Sequence, residues 1–447
     1  MISRSSLSWG QRPVTELARL AWPIGVSMLS YSTMTLVDTL FVSELGTSAL
    51  GAVGLGGIVY FTTLCFGLGA LSACKVLTSH QRGRGDLDYS AILGAGLWLS
   101  LGLGVLFVVL NVALGFGLAW IAPADVAAGG QRYLWLRGLG APIALAGATL
   151  REVRYGEGDS QTPMRAALAA NLANIGLDWL LIVVWGGAIA GAAIASALAA
   201  AIETAWLAVA QREVGFGFDR RGFRAIPKLW RTGWPLGVQL FLQVGSFTAL
   251  TGIIASMSAI DIAAHQVVVQ VIHFGFLPAF AIGEAASVMA GQAMGARRSP
   301  LVRVVSRWAL GTAGAYGLVC ALVLVGFARP LARVFSQDPA LTETIVHLFW
   351  LAAAFQVFDA GYIVARSILR GIGDIRIPTA ISVASAWLCL PTLAYALGYG
   401  LGWGAVGAWV GITVDIFLGG SLLWWRLERR HWVVAARRQR RRSLATA

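Results

Sequence analysis

Ala21-Trp22-Pro23-Ile24-Gly25 opens the first long apolar run of the chain, and Gly233-Trp234-Pro235-Leu236-Gly237 opens the seventh. A second pair repeats the relation. Arg154-Tyr155-Gly156-Glu157-Gly158-Asp159 leads to Pro163, and Arg370-Gly371-Ile372-Gly373-Asp374 leads to Pro378. The prolines of the first pair lie 212 residues apart and those of the second 215. Nearly equal offsets mean that the chain repeats itself, with six apolar runs in each copy. An even number of runs between the copies makes both halves enter a membrane the same way round, which is a parallel repeat.

The runs lie at roughly 17–42, 47–77, 90–118, 133–150, 163–185, 188–210, 233–256, 262–293, 305–327, 345–369, 378–400 and 405–426. At near 20 residues, each is long enough to cross a hydrocarbon core of about 30 Å. The whole chain of 447 residues is 57% hydrophobic and 12% charged, with a mean hydropathy of +0.72. Soluble domains carry about 25% charged residues, so a soluble protein is excluded. Continuous runs exclude a membrane β-barrel, whose strands alternate in short blocks. The expected fold is therefore an all-α polytopic membrane protein. Twelve transmembrane helices form two six-helix lobes, residues 1–210 and 233–447, joined by a basic linker at 211–232. Residues 1–16 are mostly polar and the first run is too long for a signal-peptide core, so no cleaved leader is expected. Cys65, Cys74, Cys320 and Cys389 lie singly in apolar runs and read as small apolar filler.

The net charge of +13 is distributed rather than clustered as a nucleic-acid arm. With the N-terminus inside, about 30 of the 34 Lys and Arg fall on inner stretches. Arg220, Arg221, Arg224, Lys228 and Arg231 follow the sixth run, Arg297, Arg298, Arg303 and Arg307 the eighth, and Arg437, Arg438, Arg440, Arg441 and Arg442 end the chain. Both termini are expected to be cytoplasmic, with the tail anchored on anionic lipid and no nucleic-acid partner. Lys75 and Arg366 lie close to inner ends and are expected to snorkel.

The glycines of the repeated loops, Gly156, Gly158, Gly371 and Gly373, suit a tight turn, and Pro163 and Pro378 suit the first turn of the next helix. No strand precedes these Gly-x-Gly pairs and no third glycine follows, so they do not make a dinucleotide site. A Walker A loop, a His-Glu-x-x-His sequence and a catalytic triad order are all missing from the sequence. Neither an ATP-driven pump nor an enzyme is expected, and no cofactor or metal.

Six acidic residues fall inside the runs: Asp38, Asp178, Glu203, Glu284, Asp359 and Asp415. A charge at the bilayer centre costs at least about 2.5–3.5 kcal/mol, so each needs a partner, a proton or water. Burial favours the neutral acid, and a carboxyl that trades its proton between two access states can couple transport to a proton gradient. Asp38 follows Pro23, and Asp178 follows Pro163, by the same 15 residues, about 22 Å along each helix. Tyr31 and Thr35 share the face of Asp38; Asn171 and Asn174 share that of Asp178. Two readings fit: a polar pocket that exchanges a proton or sodium, and interhelical hydrogen-bond glue. Glu203 joins the first reading less firmly, because Ala188 to Ala201 form a small-residue packing face. In the second half, Gln239, Gln243 and Ser246 share one stripe; Gln266, Gln270 and His273 precede Glu284; and Gln356 precedes Asp359. These stripes fit a wet cavity for a bulky cation, and packing fits any single glutamine equally. Asp415 reads as structural. His265 fits a local cap or a proton relay.

The chain resembles the multidrug and toxic compound extrusion (MATE) family. The resemblance rests on Val37-Asp38-Thr39 with Leu45-Gly46, the Arg154–Asp159 motif, Asn174-Ile175-Gly176-Leu177-Asp178, Ala263-Ala264-His265-Gln266 and Leu369-Arg370-Gly371-Ile372-Gly373-Asp374. It spans about residues 15 to 425. It implies two six-helix lobes forming a V around a central cavity, and export of organic cations and other drugs in exchange for H⁺ or Na⁺. Asp38 matches the acidic position of the family's first helix. Asn174 and Asp178 match the proton-site pair of the DinF-like branch, and Asp359 the tenth-helix aspartate of the NorM-like branch. The seventh-helix position that is glutamate in NorM-like members is Gln243 here, which disfavours sodium. Taken together, the residue reading and the resemblance assign Asp38, Asp178, Asn174 and Glu203 to proton or cation coupling. Tyr31, Gln243, Gln270, Glu284, Gln356 and Asp359 are assigned to the substrate cavity.

The alternative is a lipid-linked-saccharide flippase of the same superfamily. Its anionic cargo would want embedded Arg and Lys, whereas the embedded groups here are mostly acidic. The expectation is an antiporter for cationic or amphiphilic small molecules, acting as a monomer in a bacterial-type inner membrane.

Overall fold

The computed structural model describes residues 7–212 and 215–429. The five tail arginines expected to anchor on lipid lie outside the described residues. Among the described residues there are fifteen α-helices and no strand. The first half holds α1 (Pro13–Ser43), α2 (Thr47–Leu71), α3 (Ala73–Gly83), α4 (Ser90–Gly117), α5 (Ala124–Leu139), α6 (Ala141–Glu157), α7 (Gln161–Asp178) and α8 (Ala188–Gln211). The second holds α9 (Arg220–Ala255), α10 (Ala259–Gly295), α11 (Ser299–Gly326), α12 (Ala328–Phe335), α13 (Pro339–Gly371), α14 (Arg376–Leu393) and α15 (Gly404–Glu428).

Eleven segments are long and apolar enough to cross a membrane, α2 and α3 counting as one, Thr47–Gly83. The fourth of the expected twelve is a broken traverse. It begins at Ala124, not near 133, and runs to Glu157 with an interruption at Gly140. Pro142, in the first turn of α6, has no N–H to continue the α5 ladder, which accounts for the break. Interior prolines elsewhere (Pro23, Pro235, Pro278) are accommodated within continuous helices, as membrane helices allow.

The chain divides into two compact units: Val26–Phe241, here the amino-terminal unit, and Met1–Gly25 with Leu242–Ala447, the carboxyl-terminal unit. The dividing points fall inside α1 and α9, and the expected linker at 211–232 is helical from Arg220 onward. In the amino-terminal unit α2 packs on α5, α4 on α6 and α7 on α8. Close approach of α9 to α2 explains the glycines of the second Trp-Pro motif. A Cβ on Gly233 would lie 2.2 Å from the carbonyl oxygen of Ala70, and one on Gly237 2.6 Å from that of Phe66. In the carboxyl-terminal unit α13 is the enclosed helix, largely buried, and α10, α11 and α15 surround it. Phe349 and Trp409 are fully buried there.

The repeated loops divide their glycine roles. Gly158 (φ 97°) and Gly373 (φ 87°) end their helices in the left-handed conformation. Gly156 and Gly371 instead admit a neighbouring backbone: their Cβ atoms would lie 2.6 Å from the Lys75 carbonyl and 2.2 Å from the Ser287 carbonyl. The expected tight turn needs only the second glycine of each pair. After their last regular residues, both α7 and α14 widen into a π-helical stretch, Trp179–Val184 and Ala394–Gly400. Each begins 16 residues after its loop proline, Pro163 or Pro378.

Candidate functional site

Asp38 on α1 and Asp178 at the end of α7 meet through one amide. Asn174 Nδ2 donates to Asp38 Oδ1 at 2.8 Å and also to Asp178 Oδ2. Ser196 on α8 donates to Asp38 Oδ2 at 3.3 Å. Asp178 and Asn174 are fully buried, whereas Asp38 is half-buried, so one carboxyl is reachable and the other is enclosed. Asn171, one turn earlier on α7, donates to Ser30. The i, i+3, i+7 spacing of Asn171, Asn174 and Asp178 sets all three on one face, as their sequence positions imply.

This cluster is short of donors. Asn171 Oδ1, Asn174 Oδ1 and Asp178 Oδ1 are buried with no hydrogen-bond partner among the described residues. Buried acceptors are ordinarily satisfied. A proton on a carboxyl is a donor, so binding one supplies a hydrogen bond that the cluster lacks.

Glu203 and Tyr31 form a separate, balanced group. Arg151 Nη1 donates to Glu203 Oε1 at 2.7 Å and to the Tyr31 hydroxyl at 3.0 Å. Tyr31 donates in turn to Glu203. Glu203 therefore has its counter-charge at hand and does not join the Asp38–Asp178 pair. Lys75 does not snorkel: it is 3% exposed and lies 2.8 Å from Glu152 Oε2.

In the carboxyl-terminal unit Arg366 Nη1 donates to Gln243 Oε1 at 2.7 Å, and its guanidinium lies 4.9 Å from the Tyr362 ring centroid. Arg366 therefore points into the unit instead of snorkelling. Asp359 is buried and faces Arg366 and Asp415. Asp415 is buried as well, with Oδ1 unpartnered among the described residues. Gln356 is buried against α10, where Gly275 leaves room for its amide: a Cβ there would lie 2.4 Å from Gln356 Nε2. Glu284 stands apart in an ion pair with Arg370 of the repeated loop. Gln270 is exposed. His265 is locked by two neighbours: the Trp409 indole donates to Nδ1 at 3.2 Å, and Nε2 lies 3.2 Å from the Thr251 hydroxyl. A donor at Nδ1 leaves the ring proton on Nε2, pointing at Thr251. Neither neighbour belongs to the cap or turn in which His265 sits: Thr251 is on α9 and Trp409 on α15.

Among the described residues no group of three or more His, Cys, Asp or Glu could hold a metal ion.

Comparison with known proteins places these residues in a family context. The sequence model of the family described as MatE matches residues 23–180 and 235–396, one match per half. A probable multidrug resistance protein NorM from Deinococcus radiodurans is 30% identical over 91% of this chain and 93% of its own length. One of the same name from Pseudomonas syringae pv. tomato is 27% identical over 92% and 94%. Among solved structures, a MOP superfamily transporter from Pyrococcus furiosus matches with a TM-score of 0.86, at 20% identity, over 95% of this chain and 97% of that one. The eukaryotic MATE transporter AtDTX14 matches with 0.87, at 19%, over 97% and 99%. At such identities the structural likeness establishes the two-lobe fold.

Proposed function

The chain belongs to the MatE family, and from that premise we propose that it is a multidrug efflux antiporter that exchanges organic cations or amphiphiles for protons. The observation that carries the proton reading is the single Asn174 amide shared by two carboxyls. Two acids tied to one neutral donor, beside three acceptor oxygens without donors, form a group that gains hydrogen bonds when it gains a proton. Glu203 contributes structure to the unit: its charge is already matched by Arg151. The second unit, where Asp359 and Gln356 lie buried near Arg366, is the better place for cargo, because its carboxyls are not committed to one another. Gln243 in place of a carboxylate, engaged by a guanidinium, speaks against sodium in that unit. The protein acts in a cytoplasmic membrane with both termini inside, on the strength of the Lys and Arg asymmetry.

Purified protein in liposomes tests this reading. An imposed pH gradient is expected to drive uptake or release of an ethidium-type dye, with a sodium gradient ineffective. Dye movement driven by sodium alone would refute proton coupling; movement under neither gradient would refute antiport.

A further inference from the structure

Arg137 was not among the residues singled out by sequence, because its run was expected to start only four residues earlier. Since α5 begins at Ala124, Arg137 lies in the fourth turn of that helix. Four helices of the amino-terminal unit supply a buried apolar layer: Val42 of α1, Tyr133 of α5, Ile182 just beyond α7, and Ala192 of α8. Chain order makes α1 and α7 run one way and α5 and α8 the other. Stepping four residues from each member in the same physical direction gives Asp38, Arg137, Asp178 and Ser196. Four residues make about one turn, so these form the next layer. The electrostatics agree with this placement, since Tyr133 feels the charges of Arg137, Asp38 and Asp178, and Asp178 those of Asp38 and Arg137.

The Arg137 side chain has no ion pair or hydrogen bond among the described residues, and its Nε is buried and unpartnered. Its guanidinium lies 5.1 Å from the Tyr60 ring centroid on α2. An embedded guanidinium is costly without compensation. The ring quadrupole supplies part of it, and the two carboxyls of the same layer supply the rest through space.

We propose that Arg137 is the fixed counter-charge of the Asp38–Asn174–Asp178 site and limits that site to one exchanged proton. It is a positioning residue in the electrostatic sense: it sets the charge of the site without hydrogen-bonding the proton carriers. Two ionised carboxyls and one guanidinium sum to −1; one bound proton brings the layer to zero; a second would make it positive. The proton passes from a donor outside to one carboxyl oxygen and leaves from the same pair to the other side, with no other bond made or broken. The charged and titratable groups facing the pair are Arg137 and Tyr133 of α5, with Tyr60 of α2 beneath the guanidinium. The inference rests on reading Asp38 and Asp178 as the coupling site.

The test is the infrared C=O stretch of the protonated carboxyl, assigned by its loss in Asp178→Asn and followed against pH in purified protein. In Arg137→Gln the protonated band is expected to persist to a pH higher by about one unit or more, because an opposite charge has been removed. Arg137→Lys is expected to restore the wild-type midpoint. Arg137→Met carries the same test if the glutamine variant does not purify as a monodisperse species. An unchanged midpoint in folded Arg137→Gln or Arg137→Met overturns the assignment. So does a lysine variant that behaves as the neutral ones do, since that is the mark of a packing role. Dye transport on the same preparations separates the two claims. Export driven by sodium and not by pH sinks the proton reading of the function, while a shifted carboxyl midpoint still supports Arg137 as counter-charge.

Discussion

The two units hold similar ingredients, two buried or half-buried carboxyls, an arginine and a side-chain amide, and tie them together in opposite ways. In the amino-terminal unit the amide of Asn174 joins the carboxyls of Asp38 and Asp178, and Arg137 stands back against a tyrosine ring. In the carboxyl-terminal unit the amide of Gln243 holds the guanidinium of Arg366, and Asp359 and Asp415 are left untied to each other. A neutral donor shared by two acids tolerates a change in their charge, because its hydrogen bonds survive protonation of either. The shared donor fits the first arrangement to the proposed proton exchange, and the untied carboxyls fit the second to the proposed cationic guest.

The largest effect that would break this contrast concerns the tied pair. Asp38→Asn and Asp178→Asn are expected to fold and insert yet lose export driven by a pH gradient in liposomes, while Asp359→Asn keeps it. Hydrogen-bond glue predicts the reverse pattern for the first two, since asparagine still bonds. Near-normal gradient-driven export by both would end the assignment of the proton to this unit.

A second effect compares the loop aspartates of the two halves. Asp374 is clamped by Arg426 of α15 through two bonds, at 2.6 and 3.2 Å, with both partners buried. Asp159 instead caps α7, accepting from the Gln161 and Thr162 amides at 3.1 and 3.0 Å, and meets Arg154 only at 3.5 Å. Arg426→Met leaves a buried carboxylate alone and is expected to cost about 3–5 kcal/mol. Arg154→Met is expected to cost about 2 kcal/mol. Thermal unfolding in detergent gives the order; equal losses would show that the motif does the same work in both halves.

The smallest effect sharpens the assignment of cargo. Asp359→Asn and Gln356→Ala are expected to change apparent affinity for several unlike cations by about tenfold or less, roughly 1.4 kcal/mol, with the pH dependence of export preserved. Unaltered affinity across a panel of such cations would remove the cargo site from this part of the second unit.

Much of this was legible beforehand because the signals were local. Twelve traverses follow from run length, and the duplication from two proline-anchored motifs. Asn171, Asn174 and Asp178 were set on one face by spacing alone. What stayed hidden were partnerships across the chain. Arg151 meets Glu203 across 52 residues and Arg366 meets Gln243 across 123. No periodicity announces such a meeting, so Glu203 read as an unbalanced acid and Arg366 as a snorkelling base. The start of α5 was obscured by Gly129-Gly130-Gln131-Arg132, a polar stretch that resembles a loop. That shift of nine residues is what moved Arg137 from a helix end into the membrane interior.

The widened turns after α7 and α14 also carry history. A π-helical stretch takes up a residue too many for regular winding, and each begins 16 residues beyond the proline of its own loop. Two separate insertions at the same register would be a coincidence; one insertion copied along with its helix is not. The irregularity is therefore a feature the two copies share, next to the position that holds Asp178 in one and Leu393 in the other.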